Sequence, residues 1–240
     1  MNHNQILKIL KQEMAAATGC TEPVAIAYAS AKARAVLGKK PVRAQVKVSC
    51  NILKNAMGVG ISGTDMAGLE ALRLVMKYLG RAIENGKEDR EAREGMAWAN
   101  TLGGIVIGEG NSGTVAIHAL GHSIGGQTNA PHGLTMCPLA VPYIERTWRA
   151  DMEKYANLTR VFGYGEDTMS TEELAALCPE AMRGVLKKFG CDLTMKDLGV
   201  TEEMIGPMTD SVFHTMGGVL NNSLVEFTRE DVIALYKDAM

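Results

Sequence analysis

Several features that define other protein classes are missing from this sequence of 240 residues. No apolar run approaches the roughly 18 residues that span a bilayer, and the start MNHNQILKILKQEM lacks the apolar core of a signal peptide. A strong charge is also missing, because 27 acidic residues nearly balance 25 basic ones. The composition therefore predicts a cytoplasmic protein whose partner is a small molecule or another protein and not nucleic acid or a membrane, and it leaves a homo-oligomer open.

Cysteine is scarce and widely spaced. The five cysteines are odd in number and form no C-x-x-C pair. They are Cys20, Cys50, Cys137, Cys178 and Cys191. Neither a disulfide framework nor a cysteine-only zinc site is indicated by this spacing, and we expect reduced thiols.

Apolar residues are plentiful, at 46% of the chain, and most of them recur at helical spacing. The exception is PVRAQVKVSC at residues 41–50, where apolar and polar residues alternate with the period of a half-buried strand. We therefore predict a mostly α fold. A helical bundle is expected over residues 65–240, after a small N-terminal α+β segment at residues 1–64 that contains one or a few strands.

The helical pattern is clearest directly after residue 64. The segment MAGLEALRLVMKYLGRAIENG carries an apolar stripe made of Leu69, Leu72, Val75, Met76, Leu79 and Ile83. The next segment, DREAREGMAWANTLGGIVIGEG, is typical of a buried helix, and its Trp98 is expected to pack in the core. Gly163 and Gly190 are placed as helix stops, and Thr228 with Asp231 three residues later predicts a cap for the last helix.

Three of the five histidines lie in HALGHSIGGQTNAPHG, residues 118–133. His118 and His122 are four residues apart and would project from one face of a helix, a geometry suited to a divalent metal. The proline and glycine around His132 predict a rigid backbone before it and a permissive one after it. The alternative is that one histidine hydrogen-bonds in a buried seam while the others face solvent. His214, near the end of a predicted helix, would usually satisfy carbonyl groups there, and a role at the metal is the alternative.

The region from EALRLVMKYLGRAIENG through HALGHSIGGQTNAPHGL to FTREDVIALYKDAM resembles the helical C-terminal domain of the iron-containing (group III) alcohol dehydrogenases. Its most specific part is H-A-L-x-H-x-x-G-G followed by P-H-G. The resemblance implies that His118 and His132 are ligands of a catalytic divalent ion, iron or zinc. It also implies that His122 lies beside the nicotinamide and the substrate. In that chemistry the metal polarises the alcohol oxygen while hydride passes to the nicotinamide ring.

Two parts of that family's pattern are not found in this sequence. The family completes its metal site with D-x-x-x-H on an earlier helix, but Asp65 is followed four residues later by Leu69. Asp65, Glu70, Glu109 or water would have to fill the remaining positions. The Gly-Gly-Gly-Ser loop that binds the dinucleotide pyrophosphate is also absent. NAD(P) is therefore expected only if a nucleotide-binding domain is supplied.

Residues 1–63, with ATGCTEPVAIAYASAKARAVLG and NILKNAMGVGISGT, resemble the N-terminal part of the serine dehydratase α-like family, which includes L-cysteine desulfidases. The resemblance implies that Cys20 matches a ligand of an iron–sulfur cluster used in β-elimination. The other cluster cysteines have no counterpart here, and one thiolate cannot hold a cluster, so we expect none. The alternative for Cys20 is a small buried apolar residue. The sequence as a whole therefore resembles a chimera of the two families.

Three functions follow from these patterns. The first is a metal-binding, dehydrogenase-like domain that acts on a primary alcohol or aldehyde when a partner supplies the nucleotide. The second is a lyase-like protein acting on serine or cysteine through Cys20. The third is a catalytically inactive helical scaffold.

Overall fold

The computed structural model describes residues 63–107 and 114–240, which all belong to one compact unit. The predicted strand at residues 41–50 lies outside the described residues, and the predicted boundary near residue 64 stays a prediction. Every regular element of the described ranges is helical, so the mostly α fold is confirmed there.

The first two helices of the described residues form an antiparallel pair. Helix α1 spans Gly63–Asn85 and helix α2 spans Arg90–Ile107. A Cβ atom at Gly95 would lie 2.3 Å from the ring of Tyr78, so α2 approaches α1 closely only because that position is glycine. Arg81 on α1 donates hydrogen bonds to two carboxylates at the start of α2, and this ion pairing holds the turn between the helices.

Seven more α-helices follow in the described residues. They are α3 Ala116–Thr128, α4 His132–Thr135, α5 Cys137–Thr147, α6 Met152–Val161, α7 Thr171–Lys188, α8 Glu202–Leu220 and α9 Arg229–Asp238. Two single 3-10 turns, Trp148–Ala150 and Lys196–Leu198, join neighbouring helices.

The helix ends agree with the predicted stops and caps. Gly163 follows α6 at φ +83° and Gly190 follows α7 at φ +66°, conformations that side chains other than glycine rarely adopt. The Thr228 hydroxyl accepts from the Asp231 backbone N–H, and the Asp231 carboxylate accepts from the Thr228 backbone N–H at 2.9 Å. The predicted cap of the last helix is therefore confirmed as a reciprocal capping box.

Two apolar clusters form the core of the part of the chain that the structure describes. The first joins α3, α5, α8 and α9 and contains the fully buried Leu120, Leu139, Met208, Leu235 and Tyr236. The second joins α5, α6 and α7 and is covered in part by Leu72 and Met76 of α1. Helix α5 contributes to both clusters, so it connects them.

Helix α2 is less buried than its sequence predicts. Among its described side chains only Ala92 and Ala99 are buried, and Trp98 is 55% exposed. The buried face of α1 also differs from its predicted apolar stripe. Ala71 and Tyr78, which are not part of the stripe, are buried, while Ile83 of the stripe is 65% exposed. An apolar face indicates which residues can be buried, whereas coverage depends on whether another element packs there.

None of the helices in the described residues is both long enough and apolar enough to span a membrane.

Candidate metal site

Helix α3, which carries His118 and His122, is anchored at three points along its length by hydrogen bonds. Its first N–H, from Ala116, donates to Ser223 Oγ at 2.9 Å. Further along, Ser123 Oγ donates to the Met208 carbonyl at 2.9 Å, and Tyr236 OH donates to the Leu120 carbonyl at 3.1 Å. These bonds reach α8, α9 and the segment between them, so the histidine-bearing helix is held by the largest part of the core.

A tight turn after α3 returns the chain to His132. Asn129 takes a left-handed conformation at φ 56°, and its backbone N–H donates to the Gly125 carbonyl at 2.8 Å. Pro131 then precedes the first residue of α4, and its carbonyl accepts from the Leu134 N–H at 2.9 Å. The rigid backbone predicted before His132 is therefore present. Gly133 is helical and does not use the conformational freedom that its sequence position predicts.

Gly121 allows this returning segment to lie against α3. A Cβ atom there would come within 2.9 Å of both Met136 Cγ and Thr135 Oγ1. Thr135 is fully buried and belongs to the same short helix as His132. The missing side chain at Gly121 thus controls how closely His132 approaches the other two histidines, a role that its place between His118 and His122 did not reveal.

The structure brings the three histidines together, and we call this group the histidine cluster: His118, His122 and His132. The Nε2 atoms of His118 and His122 are 3.0 Å apart. The ring centroid of His132 lies 4.8 Å from that of His118 and 4.5 Å from that of His122. One ring nitrogen from each residue lies within 4.8 Å of the other two, which is the spacing of a potential metal site.

The cluster favours neutral imidazoles. Burial lowers the pKa of His118 to about 4, and the neighbouring imidazoles of His122 and His132 add to the effect. Burial also lowers the pKa of His122, with a further contribution from His132, and burial alone lowers the pKa of His132. A neutral imidazole is the form that binds a metal, so the cluster is prepared for metal at neutral pH.

These shifts predict that the metal-free chain loses stability as the pH falls from about 6.5 toward 4. The pKa of His118 is about 4 in the folded chain and about 6.5 when unfolded, so the unfolded chain binds more protons between these values. The loss begins below the unfolded pKa and ends near the folded one. Urea unfolding in chelator at several pH values measures it.

Alanine at His118 should flatten this pH dependence. Equal slopes for wild type and His118→Ala would contradict the expected burial effect.

The other candidate residues do not join the cluster. Asp65 pairs with Lys154 at 3.2 Å, and Glu70 pairs with Arg73 at 3.5 Å. His214 is exposed on α8 and is not part of the cluster. Glu109 and Cys20 lie outside the described residues. Within the described ranges, the potential metal site therefore contains imidazoles and no carboxylate.

A separate apolar cavity of about 430 Å³ lies between α1, α2 and α6. Asp65 and Lys154 are at its polar edge, and Leu69, Leu72 and Leu158 line its apolar wall. None of the three histidines lines it, so this cavity and the histidine cluster are distinct features.

Comparison with known proteins relates the chain to two groups. It is 34% identical over 140 residues to 1,3-propanediol dehydrogenase of Citrobacter freundii, covering 58% of this chain and 35% of that protein. A UPF0597 protein of Bacteroides thetaiotaomicron is 51% identical over 78 residues, 32% of this chain and 18% of that protein. The resemblance of residues 1–63 to serine dehydratase α-like proteins, and the role it implies for Cys20, stay predictions.

The fold matches solved dehydrogenases. An alcohol dehydrogenase from an archaeal halo-thermophile of a Red Sea brine pool superposes with a TM-score of 0.68 at 30% identity, covering 74% of this chain and 44% of that one. The chain thus spans less than half the length of each of these three relatives. The C-terminal model of the Fe-containing alcohol dehydrogenase family matches residues 60–240. The chain therefore belongs to the Fe-containing alcohol dehydrogenase family, through that family's helical C-terminal domain.

Proposed function

We propose that this chain is a divalent-metal-binding domain of an alcohol-dehydrogenase-type oxidoreductase, with His118 and His132 as metal ligands. The single observation that carries the proposal is the convergence of three ring nitrogens within 4.8 Å on a fold of this family. The substrate class would be a primary alcohol or its aldehyde, and NAD(P) would come from a nucleotide-binding domain supplied by a partner.

The donor set fits a borderline-soft divalent ion. Imidazole nitrogen is a common ligand of zinc and iron, and tetrahedral bonds of 2.0–2.1 Å place ligand nitrogens roughly 3.3 Å apart. The 3.0 Å separation of the His118 and His122 nitrogens is close to that value. A bound divalent ion would supply Lewis acidity toward an alcohol or carbonyl oxygen.

The chain's own residues provide the positioning. Helix α3 presents His118 from a backbone that Ser223, Met208 and Tyr236 hold in place, so its imidazole needs little rearrangement to bind. The turn that begins at Asn129 returns the chain to His132, whose ring centroid lies 4.8 Å from that of His118. Rigid support of this kind preserves ligand geometry and reduces the entropic cost of binding.

Metal binding tests the proposal. The full chain, stripped with chelator and titrated with Zn²⁺ by calorimetry, is expected to bind one ion. Alanine at His118 or His132 should lower the affinity at least tenfold, because each removes a ligand from a site with few protein donors. His214→Ala is the matched control, since it removes an exposed histidine outside the cluster.

Two results would contradict the proposal. One is the absence of stoichiometric Zn²⁺ binding, which would favour the inactive scaffold. The other is unchanged affinity in both cluster variants, which would place the metal elsewhere. No described residue favours the lyase hypothesis, because Cys20 lies outside the described ranges.

A further inference from the structure

The resemblance to the dehydrogenases implies a position for His122 beside the nicotinamide, but its place in this structure points to a different role. Its Nε2 atom lies 3.0 Å from His118 Nε2, and the His122 ring centroid lies 4.5 Å from that of His132. The potential metal site of the described residues has no carboxylate, so the ligand pair D-x-x-x-H has no counterpart there. His122 is the side chain placed to compensate for it.

We propose that His122 is a third metal ligand in this chain, so that His118, His122 and His132 together form a three-imidazole site for a divalent cation. This inference rests on the proposed function, because it assumes that the cluster binds metal. It assigns to His122 a bond to the ion in place of a contact with substrate.

Helix geometry supports this ligand set. Residues four apart on a helix lie above one another, and two histidines at this spacing are a recurrent way to chelate zinc. His118 and His122 have this spacing on α3, and their rings meet edge to face at an interplanar angle of 66°. One ring nitrogen of each of these two residues also lies within 4.8 Å of a ring nitrogen of His132.

The coordination chemistry is also consistent. Three neutral imidazoles leave the full charge of the cation uncompensated and leave one tetrahedral position open. An open position next to three protein ligands is the arrangement of catalytic zinc sites, where water or a substrate oxygen takes the fourth position. A three-histidine set would therefore retain the capacity to bind an alcohol oxygen without the missing carboxylate.

The competing interpretation is a direct hydrogen bond between the two imidazoles, since 3.0 Å is also a hydrogen-bond distance. Under that interpretation His122 orients His118 and never contacts the ion. Replacing His122 by alanine would then weaken binding only slightly, and a new ligand at position 122 would leave no spectroscopic sign of a bond to the metal.

Titration of the chelator-treated full chain with Co²⁺ separates the two interpretations, because the visible bands of Co²⁺ report its coordination. Wild type is expected to give the intense visible bands of a four-coordinate ion. His122→Ala should lower Co²⁺ affinity at least tenfold and replace those bands with weak ones. His122→Cys should restore affinity and add a thiolate-to-cobalt charge-transfer band in the near ultraviolet. Circular dichroism verifies that each variant is folded.

The outcomes distinguish this inference from the proposed function. If alanine at His118 and at His132 weakens binding but His122→Ala does not, the inference is overturned and the proposed function stands. Absence of the charge-transfer band in a folded His122→Cys variant that binds Co²⁺ also overturns it. If none of the three alanine variants weakens binding, both fail. A loss at His122 equal to that at His118, with His214→Ala unchanged, supports the three-histidine site.

Discussion

Replacing Tyr236 with alanine is expected to lower the free energy of unfolding by about 3–5 kcal/mol, the largest loss that we expect from one substitution. Tyr236 is fully buried on α9, within the cluster that joins α3, α5, α8 and α9. Its removal leaves a cavity beside Leu120 and Leu235, which close packing prevents from collapsing fully. Urea unfolding followed by circular dichroism at neutral pH measures the change.

Two further variants separate the contributions of Tyr236. Tyr236→Phe keeps the ring and removes the hydroxyl, with its hydrogen bonds to the Leu120 carbonyl and to the Ser123 side chain, so a loss of about 1–2 kcal/mol is expected. Lys237→Ala changes the exposed neighbouring position and should stay within about 0.5 kcal/mol of wild type. A loss below about 1 kcal/mol in Tyr236→Ala would show that the last helix does not pack on α3 as described.

Replacing Gly121 with valine is expected to have the second large effect, lowering the free energy of unfolding by about 3 kcal/mol or more. A Cβ atom there already meets Met136 Cγ and Thr135 Oγ1 at 2.9 Å, and valine adds two methyl groups beyond it. Met136 is flexible and can move, whereas Thr135 is fully buried and has little space. The segment that carries His132 must therefore shift away from α3, so metal affinity should fall together with stability.

Gly126→Val is the matched control on the same helix. Its Cβ atom has no neighbour within 4 Å and the position is exposed, so a change within about 0.5 kcal/mol is expected. Thermal unfolding and Zn²⁺ calorimetry on both variants test the prediction. If Gly121→Val matched the control in both measurements, the close approach of α4 to α3 would be refuted.

Local features of the fold were predictable from the sequence. The capping box at Thr228 and Asp231 and the helix stops at Gly163 and Gly190 depend on residues a few positions apart. Helical hydrogen bonds and cap geometry act over the same short range, so a short segment contains the information that they need. The mostly α fold of the described residues follows from the same periodicity.

Burial was less predictable. The sequence of α2 is typical of a buried helix, yet Trp98 is 55% exposed. Residue type determines how much free energy burial would yield, but coverage of a helix face requires a second element that is distant in sequence. The exposure of Ile83 on α1 has the same origin.

The candidate site likewise combines features that the sequence predicts with features that only the tertiary structure shows. By itself the sequence determined that His118 and His122 share a helix face, because a spacing of four residues on a helix sets this by backbone geometry alone. It also determined a stiff entry into His132 through Pro131. Only the tertiary structure decided that His132 returns to the other two, since that approach depends on the left-handed turn at Asn129 and on the space left by Gly121. The physical reason is that contacts between segments depend on packing and steric exclusion among residues that the chain order does not place together.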